Sequence, residues 1–210
     1  MVFDVLIVGG GVSGMQCALV LGSALTKEYA KGKKVGVIMH QRASHLQDAL
    51  FNNVLGMAPG TLGEDILVKG KKQLAEIYPE VIQIENEKVV AVLDEGEGYK
   101  IITNKDEYIS KMVVIALNYS KPFDIAGLEQ YVERHIRANA LKDRIQLRNF
   151  NHLIKEGLYV CGTLAGWRSQ FAIAAGSGAS VATDILTIWN ENVPTKVHDK
   201  KKRIINSTIL

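Results

Sequence analysis

Cysteine is scarce. Cys17 and Cys161 are the only two in 210 residues, and they form no CxxC, so neither a local redox dithiol nor a zinc clip can be read from them. No stretch reaches the about eighteen uninterrupted apolar residues that would imply a membrane span. The N-terminus opens directly on a strand-like run, with no basic leader or small-residue cleavage pattern, so the chain reads as soluble and cytoplasmic. Charge of one sign is also in short supply. The net charge is +3, and much of the excess sits in "KVHDKKKR" at 196–203. That run is too local for a nucleic-acid footprint and reads as a solvated basic tail, so no nucleic-acid partner is expected.

What is present favours one α/β domain. With 47% hydrophobic residues the chain can bury a substantial core. "FDVLIVG" (3–9) is a continuous apolar run ending in glycines, as a buried parallel strand would be, and a helical pattern follows to Gly32. "KKVGVIMH" (33–40) reads as a second buried strand. Residues 41–63 are loop-like, and 63–80 read as an amphipathic helix stopped before Pro79. Then "KVVAVLDE", "GYKIITN" and "EYISKMVVIAL" predict a three-stranded meander whose last strand, ending in "MVVIAL", enters the main sheet. A helical portion is expected near "GLEQYVERHIRANAL" (127–141), a strand at "GLYVCG" (157–162), and a last helix rich in small residues from Ser169 to Asn190. The expected units are a single domain over 1–192 and a basic tail over 193–210.

Gly9, Gly11 and Gly14 form G-x-G-x-x-G after a strand and at the opening of a helix. The first permits a tight turn, the second lets backbone approach a pyrophosphate, and the third allows close helix–strand packing. Val12 and Ser13 lie in the first turn, where N–H groups and the helix dipole favour an anion. Such a turn normally works with an acidic residue about twenty positions later, which grips a ribose. "VGVIMHQR" (35–42) contains no Asp or Glu. Met39 or His40 holds that place. His40 can hydrogen-bond a ribose hydroxyl and Arg42 can approach a phosphate, although a surface histidine would look the same in sequence.

Four stretches in order, "VLIVGGGVSG", "FNNVLG" (51–56), "MVVIALNYS" (112–120) and "GLYVCGTLAGWRSQFAIAAGSGASVATDI" (157–185), resemble the FAD domain of thioredoxin reductases and related two-dinucleotide-binding flavoproteins. The resemblance implies a three-layer ββα Rossmann-like FAD-binding fold, with a parallel central sheet and a three-stranded antiparallel meander. It implies FAD as cofactor, Asn53 beside the isoalloxazine ring, and Gly162 and Thr163 at the flavin side chain. It also implies that Gln170 and Phe171 open a helix whose N–H groups favour negative charge on reduced flavin. Thr163 stands where the family has an aspartate, and Asn118 and Tyr119 stand where it has threonine and glycine. The interval 120–157 is too short for the family's nicotinamide-binding domain, and no second glycine fingerprint appears.

These departures imply a flavoprotein oxidoreductase that does not reduce thioredoxin by the family's route and takes electrons from an external small-molecule or protein donor. Two other readings stay open: a non-catalytic FAD-binding module serving a separate reductase, and a Rossmann-like domain that has lost its cofactor. Cys17 and Cys161 read as buried packing, with Cys161 the nearer to the expected flavin. Trp167 and Arg168 would lie near the ring, one shielding it and the other stabilising an anion. An apolar patch left by the missing domain would favour a homodimer.

Overall fold

The computed structural model describes residues 2–40 and 44–198. Arg42 and all but the first residues of the basic tail lie outside the described residues.

Strand β1 (Val2–Val8), helix α1 (Val12–Ala24) and strand β2 (Val35–Met39) form the opening unit, with Val5 opposite Val35 and Val8 opposite Ile38 in parallel register. A small hairpin, β3 (Leu50–Phe51) with β4 (Thr61–Leu62), interrupts the segment that the sequence marks only as loop. Helix α2 (Gly63–Ile77) leads to β5 (Ile82–Glu85), which adds in parallel to β2. The meander follows as β6 (Val89–Asp94), β7 (Tyr99–Thr103) and β8 (Glu107–Ile115). Two strands, β9 (Val132–Arg134) and β10 (Ile145–Leu147), make a separate antiparallel pair. β11 (Leu153–Lys155), β12 (Leu158–Val160) and α3 (Phe171–Trp189) complete the described elements.

The parallel sheet runs β12-β8-β1-β2-β5, with β11 antiparallel on its edge. β8 belongs to two layers. Its last residues lie between β1 and β12, while Glu107–Ser110 pair with β7. The sheet is covered on both faces, which is why β1 beyond Asp4, β2 and β12 are near-continuous apolar runs rather than alternating. Val5, Ile7, Val37 and Val114 face α1 and α3 with Leu21, Ile185 and Leu186. Leu6, Val8, Ile115 and Val160 face the meander with Val92, Ile101 and Leu147. Each such side chain contributes roughly 1.5–3 kcal/mol relative to exposure. The result is an α/β, three-layer ββα Rossmann-like fold.

Helices α1 and α3 cross at backbone contact. A Cβ on Gly178 would stand 1.9 Å from the Ser13 carbonyl oxygen, so this crossing requires glycine at 178, whereas a Cβ on Gly176 would meet nothing within 4 Å. By length and apolarity α3 could also cross a membrane. Here its inner residues, Ser177 to Leu186, are packed into the core. Residues 193–198 turn back along α3, with the Thr195 N–H donating to Thr187 Oγ1 at 3.1 Å and Val197 against the core.

The helix expected within 127–141 is not formed. That stretch contains a short 3₁₀ turn at Glu129–Tyr131, then β9, then a second turn at Ala140–Lys142. Leu128, Tyr131, Val132, His135 and Ile136 carry a helix-like spacing, but Val132–Arg134 find a better partner in Ile145–Leu147. Asp143, at φ 44°, turns the chain between them.

Candidate functional site

The carboxyl ends of β1, β2 and β8 open onto one groove of about 580 Å³. In open α/β sheets ligands bind at this end. Its floor is the glycine turn. Gly9, at φ +120°, lies so close to Ala116 that a Cβ would approach the Ala116 carbonyl oxygen to 2.4 Å. Gly14 is tighter still, with the Gly9 carbonyl oxygen 1.9 Å from where its Cβ would be. These two glycines are explained by protein packing alone. Gly11 is not: the nearest atom to its Cβ position is Ser44 Oγ at 4.0 Å, and its φ of −80° suits any residue. The space a side chain would fill there belongs to the groove.

Gly11 caps α1 with no side-chain hydrogen bond, and the first turn holds no acidic residue. Gln170 does the same for α3. Gly11, Val12 and Ser13 line one part of the groove, and Gln170, Phe171 and Ala174 another. Two helix N-termini, each with first-turn N–H groups unsatisfied within the helix and no neutralising carboxylate, therefore face a common space. Between them the walls are apolar and aromatic. Phe51, presented by the β3–β4 hairpin, meets Phe171 edge-to-face with ring centroids 5.2 Å apart. The hairpin loop is held by Gly60 N–H donating to Asn52 Oδ1 at 2.7 Å, which leaves Asn53 at the groove.

Of the residues expected at a cofactor, Gly9, Gly11, Val12, Ser13, His40, Asn53, Thr163, Gln170 and Phe171 line this groove. Gly14, Met39 and Gly162 do not. Met39 is buried at the end of β2, and Gly162, at φ +73°, packs on Ser13, whose Oγ would stand 2.6 Å from a Cβ. Trp167 and Arg168 line a smaller neighbouring pocket instead. The Trp167 Nε1–H donates to His152 Nε2 at 3.0 Å, so that nitrogen is unprotonated and accepts from Ser177 Oγ at 2.9 Å as well. Ser177 Oγ in turn accepts the Gly162 N–H at 2.8 Å. Burial holds the His152 pKa down despite an opposing backbone hydrogen bond at Asn151.

Both thiols are fully buried. Burial pushes Cys161 up to about 12 and Cys17 well above its ordinary value. Full burial among apolar neighbours is what packing residues show.

Glu87 is the residue that the sequence did not point to. It lines the groove from the β5–β6 connection, beside the end of β2, where the Asn86 N–H bonds the Met39 carbonyl at 2.8 Å. Its carboxylate accepts from Thr103 Oγ1 at 2.7 Å and from the Tyr108 hydroxyl at 3.0 Å. A carboxylate offers about four acceptor positions, so capacity toward the groove remains. Its spacing from the glycine turn gives no signal, because only the sheet order brings β5 next to β2. Asp124 and His45 also reach the groove. Partial burial and the Arg144 charge push the His45 pKa down. Among the described residues no cluster of His, Cys, Asp and Glu could hold a metal ion.

No family model matches the chain, and no curated protein matches it. Solved structures do. A thioredoxin reductase from Gloeobacter violaceus superposes with a TM-score of 0.71 at 13% identity, over 96% of this chain and 99% of that one. An oxidoreductase from Agrobacterium tumefaciens gives 0.68 at 14% identity, over 90% and 99%. A ferredoxin-flavin thioredoxin reductase from Clostridium acetobutylicum gives 0.66 at 15%, over 91% and 99%. At such identities the likeness is one of fold, and the fold of this chain is that of the thioredoxin-reductase-like oxidoreductases.

Proposed function

We propose that the groove holds FAD and that the protein is a flavoprotein oxidoreductase whose electron donor and acceptor come from outside the chain. The observation that carries this is the pair of uncapped helix N-termini facing one apolar-walled groove, with empty space over Gly11 for an anion to approach the backbone. That arrangement suits a molecule with a pyrophosphate in its middle and an electron-accepting ring at one end. When bound, FAD supplies hydride or electron transfer that no side chain here could perform.

The chain's residues bind and orient. Backbone N–H groups at Gly11, Val12 and Ser13 would meet the pyrophosphate. Glu87, together with His40, would take the ribose hydroxyls, replacing the acid missing from 35–42. Asn53 and Thr163 offer uncharged hydrogen bonds toward the ring end, where Phe51 and Phe171 exclude water. The first turn of α3, at Gln170 and Phe171, favours negative charge there. Neither buried cysteine is placed to exchange with a disulfide, so thioredoxin reduction by a resident dithiol forms no part of the proposal.

The test is the visible spectrum of the purified protein. Flavin absorption, with FAD released on heating, is expected; a colourless protein whose melting temperature FAD does not raise would sink the proposal. Anaerobic addition of NADH or NADPH then asks whether a nicotinamide is the donor. Bleaching identifies it, and a spectrum that stays oxidised moves the protein to a module served by a separate reductase.

A further inference from the structure

Beside the groove lies a second pocket of about 210 Å³, walled by Arg137, Lys142, Arg144 and Arg168 with Tyr119 and Trp167 between them. Among the described residues, none of these four cations has a carboxylate within ion-pair distance. The carboxylate nearest in sequence, Asp143, is turned to Lys121 at 2.9 Å. Two of the guanidinium groups are held by ring faces. Arg137 lies 5.1 Å from the Trp167 ring centroid and donates to the Gly166 carbonyl at 2.8 Å. Arg144 lies 4.9 Å from the Tyr119 ring and donates to Ser120 Oγ, while its buried Nε–H has no partner.

Stacking fixes the plane of a guanidinium while leaving donors on its edge for an incoming oxygen. Four like charges gathered in a concavity without counter-charge repel one another, and they focus a positive field that an oxyanion would relieve. The chemistry therefore asks for negative charge from a ligand. The pocket is small and concave, which fits one phosphate or carboxylate group better than the surface of a folded protein. Ser169 lines both this pocket and the groove, and Gln170, at the start of α3, follows it.

We propose that this basic pocket binds the oxyanion group of a small-molecule redox partner whose reacting part enters the groove past Ser169. The partner's role rests on the flavin reading; the anion site does not. Charge-assisted hydrogen bonds from Arg137 and Arg168 would fix the oxyanion, and Lys142 would add a mobile point charge.

The experiment titrates inorganic pyrophosphate, and separately citrate, into the FAD-loaded protein at low salt. Binding is followed by calorimetry and by the fluorescence of Trp167, with Trp189 as a constant background. Saturable one-to-one binding is expected. It should weaken tenfold or more in K142Q/R168Q, whose FAD content and melting temperature stay at wild-type values, and not in the distant charge control K72Q. A tighter grip on pyrophosphate marks a phosphate partner, and one on citrate a carboxylate partner. Absence of saturable binding, or equal weakening by K72Q, overturns the inference. A colourless protein that still shows the K142Q/R168Q effect would sink the flavin reading alone; a yellow protein that binds neither anion would sink only the anion site.

Discussion

Replacing Gly11 by alanine separates a glycine kept for a ligand from one kept for packing. The nearest atom to its Cβ position is 4.0 Å away and its φ is −80°, so the methyl group meets no protein atom closely and strains no backbone. Two small terms act on the free protein. Alanine restricts the unfolded chain, which stabilises by about 0.4–1 kcal/mol, and it is a poorer N-cap than glycine by a similar amount. They cancel to near zero. With FAD the balance changes, because the methyl group occupies the approach to the first-turn N–H groups. Loss of one charge-assisted hydrogen bond costs about 1.5 kcal/mol, roughly tenfold in affinity. At a FAD concentration about 100 times the wild-type Kd, FAD stabilises wild type by about 2.7 kcal/mol and Gly11→Ala by about 1.4. In a chain of this size those figures correspond to rises in Tm of roughly 5–11 °C and 3–6 °C. Gly14→Ala is the contrast. Its methyl would overlap the Gly9 carbonyl oxygen at 1.9 Å, and it should cost about 3 kcal/mol or more with or without FAD. Thermal melts of the three proteins, stripped and reloaded, read all of this. Equal FAD-induced rises in wild type and Gly11→Ala would refute the reasoning, as would a stripped Gly11→Ala as unstable as Gly14→Ala.

Glu87→Gln should lower FAD affinity about tenfold in fluorescence titrations while changing stability by less than about 1 kcal/mol, since an amide oxygen keeps one of the Thr103 and Tyr108 bonds. Unchanged affinity with a large stability loss would make Glu87 a structural group only. Gly178→Ala should cost about 3 kcal/mol or more in urea melts, because its methyl meets the Ser13 carbonyl at 1.9 Å, and it should weaken FAD because Ser13 lines the groove. Burial depresses the His152 pKa, so the folded state binds fewer protons than the unfolded chain once pH falls below about 6.5. Its contribution is fully present above that pH and is lost on acidification toward and past the folded value. Urea melts from about pH 8 to about pH 5 should show the loss in wild type and not in His152→Gln; parallel curves would refute the assignment.

What could be read in the sequence was local. The turn from β1 into α1, the meander and the last helix each declare themselves within a few consecutive residues, through glycine placement or a period of two or of 3.6. The segment 127–147 did not, because its pattern mimics a helix while its stability comes from pairing Val132–Arg134 with Ile145–Leu147 across an intervening turn. Glu87 stayed hidden for a related reason. Nothing near it marks a binding residue, and it reaches the groove only because β5 docks beside β2. The basic pocket draws on Arg137, Lys142 and Arg144 from one loop region and Arg168 from another, with ordinary sequence between them.

The placement of charge around the groove bears on what can be selected there. The strand that usually offers a ribose-gripping acid ends in Met39 and His40, and the loop that resembles a flavin-side-chain site offers Thr163 instead of aspartate. Removing carboxylates from both ends weakens directional grips, but it also removes repulsion toward a ligand carrying two negative charges on its pyrophosphate. Neither helix N-terminus is then opposed by an acidic residue in its own first turn. Of the two carboxylates that line the groove among the described residues, Glu87 is half engaged by Thr103 and Tyr108, so its charge is partly spent on tying the β5–β6 connection to β7 and β8. If the groove holds FAD as proposed, selection among dinucleotides would shift away from the ribose and toward the ring end, where Phe51, Phe171 and Asn53 line the wall. A nicotinamide dinucleotide would gain as much as FAD at the glycine turn, so that turn by itself does not separate the two. On the proposed reading, the aromatic wall formed by Phe51 and Phe171, more than the glycine turn, would favour a flavin.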